Sequence, residues 1–318
     1  MLLIGKRILH LVVVFVCVTF FTVALISMVP GKPEVVVIPF DNPEETQRQA
    51  FREDNHLDEP LVVQWGYWAS DFLRGDMGDY YTSTGKNPVS TRIGSALPIS
   101  LLLILYVQLV SLGIAIPLAV WAAYKSGSRA DKLFNAGAFG CISLPGFAVA
   151  LIFTYILGVK MNLVPTDGYT APSKGLGEHF KSMVVPVIAL SLGQIAVYMR
   201  LLRSDLVATL QEDFILMAKA KGISNRRILW RHALRPSSLT LLTVAGLSVG
   251  TLIGGALVVE YLLRIPGMGS LIGEAVLKRQ YVALQSSVAL IAIFFVLLNF
   301  LIDYLYTVLD PRIRERRS

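Results

Sequence analysis

"PISLLLILYVQLVSLGIAIPLAVWAAY", residues 98–124, runs for 27 residues without a single Lys, Arg, Asp or Glu. A helix rises about 1.5 Å per residue, so about 20 apolar residues cross a hydrocarbon core roughly 30 Å thick. Comparable runs recur, and the sequence divides into six spans: Leu9–Val29, Pro98–Tyr124, Phe134–Leu157, Val185–Leu202, Leu241–Leu263 and Ser287–Leu309. Composition agrees, with 54% hydrophobic and 16% charged residues, against about 25% charged in soluble proteins. A soluble domain of this length would need a charged surface that the chain cannot make. The expected fold class is an all-α polytopic membrane protein with six transmembrane helices.

The bases set the orientation. With the amino terminus inside, 17 of the 29 Lys and Arg fall in short inner segments. These are Lys6 and Arg7, Lys125 to Lys132, Arg200 and Arg203, residues 211–236, and Arg312 to Arg317. In the outer loop 31–97, by contrast, 11 acids outnumber 6 bases. Bases concentrated in short inner loops predict both termini in the cytoplasm and a sizeable extracytoplasmic loop after helix 1. The same rule accounts for the net charge of +7 without invoking nucleic acid. The first span is too long for an ordinary signal-peptide core, and "SMVPGKP" after it lacks a convincing cleavage site, so a retained helix is expected. The organisation read from this is an N-terminal helix (1–30), an extracytoplasmic region (31–97), a five-helix core (98–309) and a basic tail (310–318).

Cys17 and Cys141 lie inside apolar runs, which favours packing over a disulfide framework. The four histidines are scattered and no metal-ligand spacing occurs, so no metal site is expected. In the outer loop, Asp41 or Asn42 offers a helix cap before Pro43, and "LVVQWGYWASDFLRGDMG" carries interfacial aromatics. Two readings stay open there: a small helical cap on the membrane surface, and a docking surface for a partner.

Within the spans, Pro117 and Pro145-Gly146 predict kinks, since each proline removes a backbone hydrogen bond. Gly246, Gly250 and Gly254 recur every fourth residue, with Gly255 beside the last. They predict a flat seam for close approach of another helix, in this chain or a second subunit. Asp303, about two turns before the basic tail, can snorkel or pair there; Glu260, Gln108 and Gln194 are isolated polar groups, more consistent with satisfied packing groups than with a path, and no chain of acids forms a proton relay.

The passage "QEDFILMAKAKGISNRRILWRHALRP", residues 211–236, interrupts the apolar pattern with six bases: Lys219, Lys221, Arg226, Arg227, Arg231 and Arg235. Phe214, Met217, Ala218 and Lys221 share one helical face. Gly222 permits a sharp turn, and Ser224 or Asn225 can cap a second helix before Pro236. Lipid headgroups explain the bases. They do not explain an apolar Phe–Met–Ala face beside a glycine turn, which suits a protein groove.

This passage resembles the EAA loop of ATP-binding-cassette importer permeases, in the peptide/nickel branch. Ala218, Gly222 and Leu234 hold the general pattern, Leu216 and Met217 replace its leading Glu-Ala, and "D-F-I…A-K-A-K-G" is the peptide-branch form. "HLDEPLVVQWGYW", "RGDMGDYY", "EYLLRIPGMGSLIGEAVLKRQY" and "DYLYTVLDPRIR" agree in order along most of the chain. Pro30-Gly31-Lys32-Pro33 departs from the family's usual Pro-Gly-Asp-Pro.

The resemblance implies a permease subunit that pairs with a second homologous permease in a bacterial or archaeal cytoplasmic membrane. It implies two cytoplasmic ATPases that carry the ATP and Mg, and an extracytoplasmic solute-binding protein. By the same resemblance Asp213, Phe214, Met217, Ala218, Lys219, Lys221, Gly222 and Arg227 dock the ATPase. Gly246, Gly250 and Gly254 are expected to serve helix packing or the path. The chain itself carries no phosphate-binding loop; the string from Gly78 to Gly85-Lys86-Asn87 has the wrong spacing and lacks the Ser/Thr. A stand-alone secondary transporter or channel would show internal repeats or intramembrane acids, and a membrane protease a nucleophile–base pair at depth. Neither pattern is found.

Overall fold

The computed structural model describes residues 2–28, 45–82 and 85–309. The Pro30–Pro33 segment, the Asp41/Asn42 cap with Pro43, and the basic tail 310–318 lie outside the described residues, as does the side chain of Asp303. The described chain is helical except for one hairpin. Its helices are α1 (Leu2–Ser27), α2 (Glu45–Asp54), α3 (Leu61–Leu73), α4 (Val89–Tyr124), α5 (Arg129–Ser143) and α6 (Gly146–Phe153). They continue as α7 (Leu176–Thr209), α8 (Asp213–Ala220), α9 (Leu234–Leu262), α10 (Met268–Leu277) and α11 (Tyr281–Leu309). Five helices are long and apolar enough to cross a membrane, or six if a bent pair is one span. The chain divides into two compact units, Met1–Ser100 with Pro266–Phe300, and Leu101–Ile265 with Leu301–Ser318.

The bent pair corrects the third predicted span. Arg129–Ser143 and Gly146–Lys160 meet at 97°. At Leu144 the backbone is extended (φ −92°, ψ 124°), the conformation that a following proline enforces, and Pro145 then leads into α6. A second departure follows α6, where Thr154–Lys160 winds as a π-helix. The expected kink is thus a right-angle break.

In the unit built on Leu101–Ile265, α7 is the most buried of the spans. It packs against α5, α6 and α9. The face of α9 that is buried consists of Ser237, Leu241, Ala245, Ser248, Leu252, Ala256, Val259 and Glu260, with members three and four apart and therefore on one side. Ala and Ser make up half of this face, and α7 buries Ala189 and Ala196 among its larger residues. Close approach of this kind is how helices gain dispersion energy where lipid offers no hydrophobic drive.

Two polar arrangements tie these helices together. Tyr198 Oη donates to Gln108 Oε1 at 2.9 Å and also pairs with Ser248 Oγ, while Gln108 Nε2 donates to Ala245 O at 2.8 Å. Gln108 is therefore a satisfied packing group. At the start of α5, the Asp131 carboxylate accepts two bonds from the Arg203 guanidinium, one from Gly127 N and one from Asn135 Nδ2. The bidentate geometry joins α5 to α7.

The other unit contains elements that the helical pattern does not predict. The hairpin pairs Asp79–Thr82 (β1) with Gly85–Pro88 (β2). Gln280 extends it by accepting from Tyr81 N at 3.0 Å and donating to Tyr81 O at 2.8 Å. The Asp79 carboxylate, 2.9 Å from Lys86 Nζ, raises the pKa of that exposed ammonium. Tyr80 is buried beneath Arg92, whose guanidinium lies 3.7 Å from the ring centroid. Helix α10 packs into the same core, through Met268, Leu271 and Ala275. Trp65 and Trp68 of α3 donate to Thr19 of α1 and Ser286 of α11, each at 3.0 Å. The region 31–97, for which the sequence leaves open a helical cap or a docking surface, thus combines two short helices with a hairpin among its described residues.

Asp131→Ala leaves the largely buried Arg203 without its counter-charge, a loss that typically costs about 3–5 kcal/mol. The variant is expected to unfold at a clearly lower temperature than the parent in the same detergent. An unchanged transition would show that the pair contributes nothing to the fold.

Candidate functional site

Residues 210–233 form a loop that leaves α7 and leads into α9. Its base is closed by Thr209 Oγ1 and Ser237 Oγ, 2.9 Å apart. Between them stand α8, a turn at Gly222, one helical turn at Asn225–Arg227 and a π-helical segment, Ile228–Ala233. Glu212 occupies the N-cap of α8 without a side-chain cap bond, and Asp213 lies in the first turn. An acid there meets the positive end of the helix dipole.

The end of α8 is a Schellman motif. Ile223 N donates to Ala218 O at 3.2 Å and Gly222 N to Lys219 O at 2.9 Å. Gly222 holds the left-handed conformation, φ +76°, which the motif requires at this position and glycine adopts without strain. An added Cβ would meet no neighbour within 4 Å, so the constraint on this residue is conformational and not steric.

Burial divides α8 sharply. Ile215 is 0% and Ala218 7% exposed, and both belong to the core cluster that includes Leu202 and Leu206 of α7 with Ile228 and Leu229. Ala218 therefore lies on the inner face, which corrects its expected place beside Phe214 and Met217. Those two are 46% and 58% exposed, and Leu216 is exposed with them. The spacing of apolar residues misses this because α8 is apolar on two sides; only the position of α7 decides which side is inward. Asp213, Lys219, Lys221, Gly222 and Arg227 are all exposed. The helix is thus anchored on one face and offers a short apolar ridge, set among bases, on the other.

The expected glycine seam is only partly used within the chain. A Cβ on Gly246 would come within 2.8 Å of the Ile302 side chain, whereas one on Gly254 would meet nothing within 4 Å. Gly250 is half-buried. The helix contact itself falls on the neighbouring Ala245–Ser248–Leu252–Ala256 face. Beside the Pro145 break lies a cavity of about 370 Å³, whose polar side chains include Gln194 and Thr251. Among the described residues no group of His, Cys, Asp and Glu is arranged to hold a metal.

A bundle of membrane-length helices, with one basic loop helix fixed at the end of a helix pair, defines an all-α polytopic membrane protein. Residues 115–315 match the family described as "Binding-protein-dependent transport system inner membrane component". The chain belongs to this family, the permease subunits of ATP-binding-cassette importers, which carry no ATPase domain of their own. It is 33% identical to the probable peptide ABC transporter permease protein y4tP of Sinorhizobium fredii, covering 97% of this chain and 98% of that protein. A putative peptide transport system permease protein of Brucella abortus is 31% identical, covering 98% of each. The nickel import system permease protein NikB of Staphylococcus aureus is 32% identical, over 97% of this chain and 90% of its own length.

A side chain other than glycine in the left-handed region costs about 1–2 kcal/mol. Gly222→Val is expected to open the α8 terminus, speeding hydrogen exchange of the Ile223 amide by about 5–30-fold, with Gly222→Asn closer to the parent. Equal exchange in all three would contradict the cap.

Proposed function

We propose that the chain is one of two permease subunits of an importer for di- or oligopeptides, and that α8 is the element on which a cytoplasmic ATPase acts. The observation that carries the reading is the exposed Phe214–Leu216–Met217 ridge on a helix whose opposite face is locked into the core. A ridge so held moves with α7 and α9 as a solid body, so a push on it reaches the spans. An apolar ridge filling a groove is the common way one protein receives another's helix. Asp213, Lys219, Lys221 and Arg227 surround the ridge and supply charged contacts at its rim. Ala218 and Gly222 position it from within.

In this reading the loop 211–236 and both termini face the cytoplasm of a bacterial or archaeal cell, and 31–97 faces outward, which the distribution of bases supports. ATP and Mg are bound by the partner ATPases. A separate extracytoplasmic solute-binding protein delivers the cargo, and Gly254, where an added Cβ would meet nothing within 4 Å, offers open backbone for a second permease. Peptide cargo is supported by what the relatives in Sinorhizobium and Brucella are called. The Staphylococcus relative supports nickel import as the alternative.

Replacing Phe214 and Met217 together by Ser removes apolar contact worth about 1.5–3 kcal/mol per fully buried side chain. Co-purification of the ATPase and solute uptake are expected to fall at least tenfold, with the thermal unfolding of the chain unchanged. Ala218→Asp, by contrast, is expected to destabilise the chain itself. Full uptake by the Phe214/Met217 variant at equal membrane levels would refute the docking role.

A further inference from the structure

A second apolar surface lies beside the loop and is not used by α8. The last two turns of α4 and the segment from Asn225 to Trp230 enclose a groove of about 560 Å³, with Pro117, Trp121, Tyr124, Arg226, Leu229 and Trp230 in its wall. None of its nine lining residues is acidic. From Pro117 to Tyr124 the groove follows the helix for roughly 10 Å, from the end of the span into its apolar length. Trp121, Tyr124 and Trp230 are exposed, and Trp and Tyr are the residues that favour headgroup depth.

Two cations border the groove. Arg226 lines the groove, and Lys125 follows Tyr124 with its Nζ 5.2 Å from the centre of the Trp121 ring. Apolar walls running into the span with bases at the polar end match one amphiphile: a chain of methylenes below an anionic headgroup. A soluble protein partner would meet only the mouth, because the rest of the groove lies along the apolar part of α4.

We propose that this groove seats one anionic phospholipid, with an acyl chain between Trp121 and Trp230 and its phosphate held by Arg226 and Lys125. Leu229 belongs to the same core cluster as Ile215 and Ala218. A lipid in the groove therefore braces the base of α8. That bracing rests on the docking role given to α8; the binding itself does not.

The test uses the full-length chain in vesicles containing phosphatidylglycerol or phosphatidylcholine with brominated acyl chains, which quench nearby tryptophans. Signal from Trp65 and Trp68 is subtracted with a Trp121→Phe/Trp230→Phe variant. Brominated phosphatidylglycerol is expected to quench Trp121 and Trp230 at a several-fold lower mole fraction than brominated phosphatidylcholine. Lys125→Gln and Arg226→Gln are each expected to reduce that preference, by about fivefold per base. Arg231→Gln, exposed but outside the groove, is expected to keep it. Equal quenching by the two lipids would overturn the proposal, and so would an equal loss in Arg231→Gln, which would mean diffuse surface charge. Abolition of the preference by millimolar inorganic phosphate would overturn it too, since the site would then bind phosphate and not a lipid.

Discussion

The contact between α7 and α9 holds the loop and its helix in place. Lipid tails are as apolar as leucine, so two helices stay together in a bilayer only through close packing and satisfied polar groups. Here Ala245, Ser248 and Ala256 alternate with Leu241, Leu252 and Val259 on the buried face of α9, and the Tyr198–Gln108–Ser248 cluster leaves none of its own polar groups facing hydrocarbon unpaired. An unsatisfied group there would cost several kcal/mol. At the end of the pair, Thr209 and Ser237 close the gap from which the loop emerges.

That fixed base gives α8 its mechanical character. Eight residues are too few for a stable isolated helix. This one persists because Ile215 and Ala218 are buried against α7 and because Gly222 and Ile223 satisfy its terminal carbonyls. The same two devices leave Phe214 and Met217 facing away from the core. The bidentate Asp131–Arg203 pair adds a second tie, joining α5 to α7 close to the loop. Under the proposed docking role, a force on α8 would reach α7 and α9, and through Asp131 the first half of the broken helix.

Much of this is legible in the sequence, and where it is not the reason is physical. Hydropathy locates the spans because charge is excluded over a fixed length, and Gly222 is legible as a turn because few other residues tolerate its φ. The third span reads as continuous because both halves are apolar; Pro145 signals a disturbance, but a local pattern does not carry the 97° angle between its halves. Helix α10 has ten residues, too short to register as a span. The hairpin has four-residue strands and is completed by Gln280, about 200 positions away. Asp131 and Arg203 are 72 residues apart, and in sequence they look like two ordinary loop charges. Periodicity puts Ala218 on the wrong face of α8, because it finds an apolar arc without saying which of two arcs turns inward.

The most direct measurement is photo-crosslinking from position 217 in native membranes, with a photoreactive amino acid in place of Met217 and a control at Leu242, an exposed residue of α9. The account predicts an adduct between position 217 and an ATP-binding-cassette ATPase, with none from position 242. Adducts to lipid alone from position 217, or equal ATPase capture from both positions, would contradict it.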